Sequence, residues 1–356
     1  MKIIVDIGHP AHIHYFKNCA RILEGKGHKY LFVVRERDST MELIKSTGFD
    51  YVSRGKGGQG ILQKMLMIPR IDKIFFDIAK KFKPDLFLSF SSAYAAHVSK
   101  IMRKPHIALD DTEHAKFEHW MSRPFSDVIL SPSCYSGKLW KNQITFDSFI
   151  ELCYLHPNYF KPDKGVLERI GVKEDEKYCI IRLISWDANH DVGQRGLCYK
   201  DKIALVDSLQ KVCRVFISSE ENLDDDLNKY KLDIHPSDLH NAIAYSNLYI
   251  GEGGTTASES VVLGIPAIYI STLQAGIFDE EEKRGMLFQL RKLDDIKNCA
   301  ISILNDKNVK DEFSKKRNKL LSEKIDPTAF LVWFVENYPE SKRIMKENPD
   351  YQYNFK

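Results

Sequence analysis

The sequence predicts an α/β protein of two domains, each built on a parallel sheet with helices on both faces. Three observations carry this. Short apolar runs bounded by turn residues alternate with segments of helical length, the pattern of strand–helix–strand units and hence of parallel sheets. The chain has 356 residues, 43% of them hydrophobic, whereas a single core stops growing at roughly 250–300 residues. The alternation also breaks at residues 156–177, HPNYFKPDKGVLERIGVKEDEK, which hold two prolines, many charges and little apolar periodicity.

In order, the predicted strands are KIIVDI (2–7), YLFVV (30–34), DLFLSF (85–90), HIAL (106–109) and DVILS (127–131), then YCIIRLIS (178–185), CRVFIS (213–218), NLYIG (247–251) and AIYIS (267–271). Intervening segments such as YFKNCARILEGKG end on glycines suited to a helix C-cap. ILQKMLMIPRIDKIFF carries methionines and isoleucines at helical spacing, a face for the core first and for a membrane surface second. A short helix, VLERIG, lies inside the break. Near the end, Asp326 before Pro327 reads as an N-cap followed by proline at the first helical position. The expected division is an N-terminal domain over 1–160, a linker over 161–177, a second domain over 178–325 and C-terminal helices over 326–356. Ligands of open α/β sheets bind beyond the carboxyl ends of the strands, so two such domains are expected to face each other across a cleft that holds the site.

Composition narrows the function. The 52 basic and 49 acidic residues are well mixed, for a net charge of +3, which points away from nucleic acid. None of the seven cysteines forms a CxxC, and most sit in apolar runs, as free thiols of a reducing cytosol do. The longest apolar run, Val261 to Ile270, is far shorter than the ~20 residues of a membrane span. A soluble cytoplasmic protein is expected; peripheral membrane contact and oligomeric state stay open.

The stretch NLYIGEGGTTASESVVLGIPAI, residues 247–268, concentrates the chemistry. Gly253 and Gly254 permit a tight turn and close approach of a ligand to the backbone, and Thr256 could cap the following helix. The first amides of that helix and its dipole suit a phosphate, with Thr255 beside them. Glu259 stands three residues after Thr256. It completes a capping box or binds the hydroxyls of a ribose whose diphosphate rests on Gly254 to Thr256, and both readings stay open.

GEGGTTASESVVLGIPAI resembles the donor-nucleotide motif of the two-domain GT-B glycosyltransferases and of the related non-hydrolysing UDP-N-acetylglucosamine 2-epimerases, in which a glycine pair opens a helix bearing a ribose-binding glutamate and ending in G-x-P. Together with VDIGHPAHIHYFKNCARIL, DDTEHA, LHPNYFKPD and RLISWDANHDVG, it resembles the domain-of-unknown-function family 354, itself similar to GT-B enzymes, over roughly residues 1–300. The resemblance implies a GT-B fold of two Rossmann-like domains.

GHPAHIHYF places His9, His12 and His14 between the first strand and the first helix. No acidic or cysteine partner is fixed nearby in sequence, so a metal is not expected. The segment is similar to the stretch of the lipid-intermediate N-acetylglucosaminyltransferases in which a histidine follows a glycine-rich turn. His12 occupies the matching place, as a base or as a packed residue. In ALDDTEHAKFEHW, Asp110, Asp111, Glu113 and Glu118 crowd acids at a strand end, where like charges raise pKa values, or form a solvated loop. Glu113 and Glu118 match the two places of catalytic glutamates in the epimerases. Against epimerase activity, Ser89-Phe90-Ser91-Ser92 stands where those enzymes carry Gly-Asp-Thr, and the loop Ser185 to Asp191 replaces their His-Arg-Arg-Glu-Asn.

In RLISWDANHD, Arg182 and His190 could neutralise a diphosphate and Trp186 could stack on base or sugar; otherwise Arg182 pairs with Asp187 or Asp191. SRGKGGQG, residues 53–60, reads as a flexible loop whose Arg54 and Lys56, with His9, would suit an anionic acceptor. The expected function is transfer of a sugar from a nucleotide-sugar donor, a UDP-sugar first, to a glycan or lipid-linked acceptor, with no metal or other cofactor. The rivals are a nucleotide-sugar 2-epimerase or hydrolase, and a non-catalytic sugar-nucleotide-binding subunit of a glycan-synthesis complex.

Overall fold

The computed structural model describes residues 1–58, 60–184, 197–219 and 223–356, with the side chains of residues 61, 62 and 64 left out. The chain forms two compact units, one of Met1–Tyr154 with Lys324–Lys356 and the other of Leu155–Glu323. The final segment, which the sequence reading set apart as C-terminal helices, folds with the first unit. There Ser148 Oγ donates to the Ile325 carbonyl (2.8 Å) and Thr328 Oγ1 to the Cys153 carbonyl (2.8 Å).

The first unit holds strands β1 (Lys2–Ile7), β2 (Lys29–Val34), β3 (Tyr51–Ser53), β4 (Leu86–Phe90), β5 (His106–Leu109), β6 (Val128–Pro132) and β7 (Gln143–Phe146), in the order β3-β2-β1-β4-β5-β6-β7. The second holds β8 (Tyr178–Leu183), β9 (Arg214–Ser219), β10 (Leu248–Gly251), β11 (Ala267–Tyr269) and β12 (Leu287–Gln289), in the order β12-β11-β10-β8-β9. Every pairing between these strands is parallel. The predicted α/β class with parallel sheets is therefore present in both units.

All nine predicted strands form. The three that the apolar runs miss, β3, β7 and β12, are all edge strands. An edge strand packs on one side only and does not need a continuous apolar run. Val52 in β3 is 40% exposed, and β7 (QITF) alternates half-buried with buried residues. The central strands are buried on both faces. In the second unit Ile181, Leu183, Leu248, Ile250 and Ile268 pack with Leu205, Leu209, Ile296 and Leu304 from the flanking helices. Each such side chain contributes about 1.5–3 kcal/mol by leaving water.

Asp326 caps the helix Pro327–Glu336, its Oδ1 accepting from the amides of Thr328 and Ala329, both at 3.0 Å. Asp326→Ala is expected to cost about 1 kcal/mol, read as a lower urea midpoint at unchanged slope. Among the described residues no helix is long and apolar enough to cross a membrane.

The strand orders locate the ligand-binding edges. In each sheet the chain starts in the interior and winds outward in both directions, so the order reverses between β1 and β4 and between β8 and β10. At such a reversal the loops leaving two adjacent strands diverge and leave a crevice beyond their carboxyl ends.

Candidate functional site

At the reversal point of the second unit, β10 runs directly into the helix Gly254–Val262, and the turn between them is Glu252-Gly253. The helix has Gly253 as N-cap, in extended conformation and with no side-chain cap. Ala257 is the first residue whose amide finds an acceptor one turn back, the Gly253 carbonyl at 3.2 Å. The amides of Gly254, Thr255 and Thr256 thus head the helix without intrahelical acceptors, and Thr255 is exposed. Only glycine fits at position 254, because a Cβ there would lie 2.4 Å from the Phe278 ring. At Gly253 a Cβ would press on Ile184 at 3.2 Å.

This geometry corrects the expected cap. Thr256 is the third residue of the helix and is buried, so Glu259 lies in the second turn and forms no capping box with it. Glu259 is 5% exposed, and its Oε1 lies 3.0 Å from His240 Nε2. His240, on the helix Leu239–Tyr245, meets the Phe160 ring edge-on at 6.2 Å. The pairing holds a carboxylate in the interior directly behind the open helix terminus.

Glu252 is buried as well, and its carboxylate accepts from the Ile184 amide (3.3 Å) and the Leu197 amide (2.9 Å). It therefore ties together the two chain ends that flank residues 185–196. Arg182, at the carboxyl end of β8, donates from Nη1 to Ser218 Oγ of β9 at 2.7 Å. Trp186 and His190, expected beside the donor, lie outside the described residues, as do Asp187 and Asp191. His240 and Glu252 were not singled out from the sequence: nothing in the spacing of either to Glu259 or to Ile184 and Leu197 signals contact.

In the first unit the reversal point lies between Gly8, after β1, and Ser91-Ser92, after β4. Asp6 is buried there, accepting from Arg54 Nε (2.7 Å) and from Ser92 Oγ. Arg54 is itself only 4% exposed and lies 4.6 Å from the Tyr94 ring centroid. This departs from the sequence reading of Arg54 as part of a flexible loop: the charge of Asp6 draws it into the interior. Lys56 stays exposed. The serines that stand in place of an acidic strand end also have structural partners. Ser92 caps the helix Ala93–Met102 and holds Asp6, while Ser89 Oγ meets His106 Nε2 at 2.9 Å. Burial pushes the His106 imidazole down to about 3.

His9 is the N-cap of the helix Pro10–Gly25, its Nδ1 accepting from the Ala11 amide at 3.2 Å. His12 packs its ring on Phe90 (4.7 Å) and accepts from the Gly8 amide at Nδ1 (3.4 Å). Burial, with the positive field of His9, Arg54 and Arg37, holds the His12 imidazole well below its ordinary value. The ring is therefore neutral near pH 7, and the Gly8 bond assigns its proton to Nε2. In that tautomer His12 donates from Nε2, and it acts as a base only by releasing Gly8 from Nδ1. His14 meets Lys17 Nζ at 3.0 Å and stacks on Tyr154.

Beyond β5 two adjacent acids have opposite environments. Asp110 is buried and accepts from Arg123 Nη2 (2.6 Å), Arg123 Nε (3.1 Å) and the Thr112 amide (3.1 Å), with His119 Nε2 at 3.1 Å. Burial acts to raise its pKa, but His119 and Arg123 outweigh it and hold the carboxyl below its ordinary value. Asp111 accepts from Thr112 Oγ1 at 3.0 Å, and burial, then the Asp110 charge, push it up to about 7. A neighbouring pair whose pKa values are driven apart is the usual signature of an acid/base site. The crowding visible in the sequence thus acts on Asp111, whereas the resemblance pointed to Glu113 and Glu118. Glu113 Oε1 accepts from the Ser136 amide (3.1 Å) and hydroxyl (3.3 Å), and Glu118 lies in the first turn of the helix Lys116–Ser122.

A carboxyl raised in the folded state contributes stability that is full below its unfolded value, about 3.9, and is lost as pH rises through about 7. Asp111→Asn is therefore expected to flatten the decline in stability between about pH 4 and 7, whose slope from this group is at most about 1.4 kcal/mol per pH unit. Urea midpoints of the two proteins across that range give the measurement.

The profile of the protein family of unknown function DUF354 matches residues 1–340. The chain belongs to this family. The uncharacterized protein MJ0665 of Methanocaldococcus jannaschii is 22% identical to this DUF354 protein over 281 residues, covering 75% of the chain and 81% of the relative. Among solved structures, Staphylococcus aureus MnaA with UDP is similar at a TM-score of 0.68 and 11% identity, over 96% of this chain and 97% of that one. A Listeria monocytogenes protein described as a putative UDP-N-acetylglucosamine 2-epimerase gives 0.63 at 13% identity, over 90% and 95%. The spinosyn rhamnosyltransferase SpnG, solved with spinosyn aglycone, gives 0.61 at 13% identity, over 94% and 100%. The DUF354 chain has the GT-B fold of these proteins.

Proposed function

We propose that this DUF354 protein is a glycosyltransferase that moves a sugar from a nucleotide-sugar donor, a UDP-sugar first, to a glycan or lipid-linked acceptor. The observation that carries the reading is the open terminus of the Gly254–Val262 helix, at the reversal point of its sheet, with a buried carboxylate one turn behind it. The amides of Gly254 and Thr255, with Gly253 and Thr256 around them, would take the diphosphate. Glu259, oriented by His240, would take the ribose hydroxyls. In transfer the acceptor hydroxyl loses its proton to a base, its oxygen bonds to the anomeric carbon, and the bond from that carbon to the phosphate oxygen breaks. The leaving diphosphate keeps the electron pair, and the helix dipole and Arg182 stabilise its charge without calling for a metal ion. His12, Glu113 and Glu118 are the bases expected from the sequence, His9, Arg54 and Lys56 the expected acceptor contacts, and Asp111 joins them because its carboxyl titrates near neutrality.

A thermal-shift panel of UDP, GDP, CMP and ADP tests the donor site. A nucleotide at 100 times its Kd adds about 2.7 kcal/mol to the folded state, and failure of all four to raise the melting temperature would sink the reading. One observation favours a second reading, nucleotide-sugar 2-epimerisation: an acid near 7 suits removal and return of a sugar C2 proton. Incubation with UDP-N-acetylglucosamine and no acceptor separates the two, since an epimerase yields the isomerised sugar and a transferase stays nearly inert.

A further inference from the structure

Three guanidinium groups gather at the carboxyl edge of the first sheet. Arg35 leaves β2, Arg37 immediately precedes the helix Asp38–Thr47, and Arg54 follows β3. After burial, Arg37 and Arg54 are what lower the Arg35 pKa, and Arg54 and Arg37 act in the same direction on His12. Two carboxylates stand against these three cations: Asp6, held by Arg54 and Ser92, and Glu36, which accepts from Ser53 Oγ at 2.7 Å. His9 and the exposed Lys56 add to the positive side.

Arg35 is the member with a buried donor left over. Among the described residues its Nε is buried without a hydrogen-bond partner, although burying such a donor costs about 1–3 kcal/mol. The guanidinium is set in place by Gly57: a Cβ there would lie 2.3 Å from Nε and 2.5 Å from Cζ. Arg54 Nη2 reaches the same edge, 3.8 Å from where a Cβ on Gly8 would stand, with the His12 ring at 3.7 Å from that point. The amides of the adjoining helix do not supply the site. Pro10 has none, the Ala11 amide is taken by His9 Nδ1, and the His12 amide is taken by the His9 carbonyl at 3.1 Å. Recognition here falls to guanidinium groups, whose planar fork matches the oxygens of a phosphoryl group.

We infer that Arg35 and Arg54 form a phosphoryl-binding site in the first unit, and that the acceptor carries a phosphate or phosphodiester. The acceptor half of this inference rests on the transferase reading; the anion site itself does not. The test titrates inorganic phosphate by calorimetry into the full-length protein saturated with UDP, at constant ionic strength, beside a parallel titration of acetate.

The wild type is expected to bind phosphate and to bind acetate at least ten-fold more weakly. Arg35→Gln should lower phosphate affinity at least ten-fold, Arg35→Lys should lose less, and UDP affinity should stay unchanged. Gly57→Ala displaces the guanidinium without removing it and should reproduce the loss, so the test survives if Arg35→Gln does not fold. Equal phosphate binding by wild type, Arg35→Gln and Gly57→Ala overturns the site, and equal acetate binding overturns its phosphoryl chemistry. Loss of UDP affinity in the Arg35 variants would give these groups to the donor and overturn the acceptor assignment. If UDP fails to bind the wild type, the phosphate comparison still stands, and it is the donor reading that falls.

Discussion

Asp110→Ala is expected to destabilise the protein by about 3–5 kcal/mol, the cost of leaving one partner of a buried ion pair alone. Asp110 and Arg123 are 0% and 2% exposed, and the carboxylate also accepts from the Thr112 amide at 3.1 Å. Removing it strands the Arg123 guanidinium, which among the described residues keeps hydrogen-bond contacts with the Tyr135 hydroxyl (2.7 Å) and His119 Nε2 (3.0 Å) and lies near the Tyr135 and Trp140 rings. The pair also sets a pH dependence. A carboxyl held below its ordinary value contributes stability that is present above its unfolded pKa, about 3.9, and disappears as pH falls through the folded value. The gap between wild type and Asp110→Ala should therefore be full at pH 7 and narrow below about pH 4. Urea unfolding at pH 7 and pH 3 measures both. A loss under 1 kcal/mol at pH 7 would mean that Arg123 reaches solvent in the variant.

Glu259→Ala is expected to weaken UDP binding by about 10- to 100-fold, since a hydrogen bond to a charged group is worth about 1.5–3 kcal/mol and each 1.4 kcal/mol is a factor of ten. Its effect on the fold should be smaller, about 1–3 kcal/mol, because it leaves the buried His240 Nε2 without its carboxylate. Calorimetric titration of UDP, with unfolding curves of the same preparation, separates the two effects. A variant that binds UDP as tightly as wild type would reduce Glu259 to a partner of His240 and remove the ribose contact from the mechanism. Glu259→Gln refines the result: it keeps the shape and loses the charge, so it should fall between wild type and alanine.

Much of the architecture could be read directly from residue order. Buried central strands need unbroken apolar runs, so β1, β2, β4, β5, β6, β8, β10 and β11 were all visible, and the edge strand β9 carries such a run as well. The edge strands β3, β7 and β12 were not, because three or four half-buried residues carry no distinguishable period. Glycines at 253 and 254 marked the turn before the key helix, and Asp326-Pro327 marked a helix start. The cap at Thr256 was misplaced. Hydroxyl residues are the commoner caps, but here the chain enters the helix at Gly254, where the Phe278 ring leaves no room for a side chain.

The sequence by itself determined the two α/β units with parallel sheets, the positions of their central strands, and the loops on which polar residues collect, because alternation, turn chemistry and apolar runs are properties of neighbours in the chain. Folding decided which of those polar residues meet. Arg54 joins Asp6 across 48 positions, Asn18 Nδ2 reaches the Cys153 carbonyl across 135, and Glu252 holds Ile184 and Leu197 from 68 and 55 residues away. The same packing raised Asp111 while lowering Asp110, and it set His240 behind Glu259. Such pairings depend on strand order and on the depth at which each side chain is buried, and no local period in a chain encodes either.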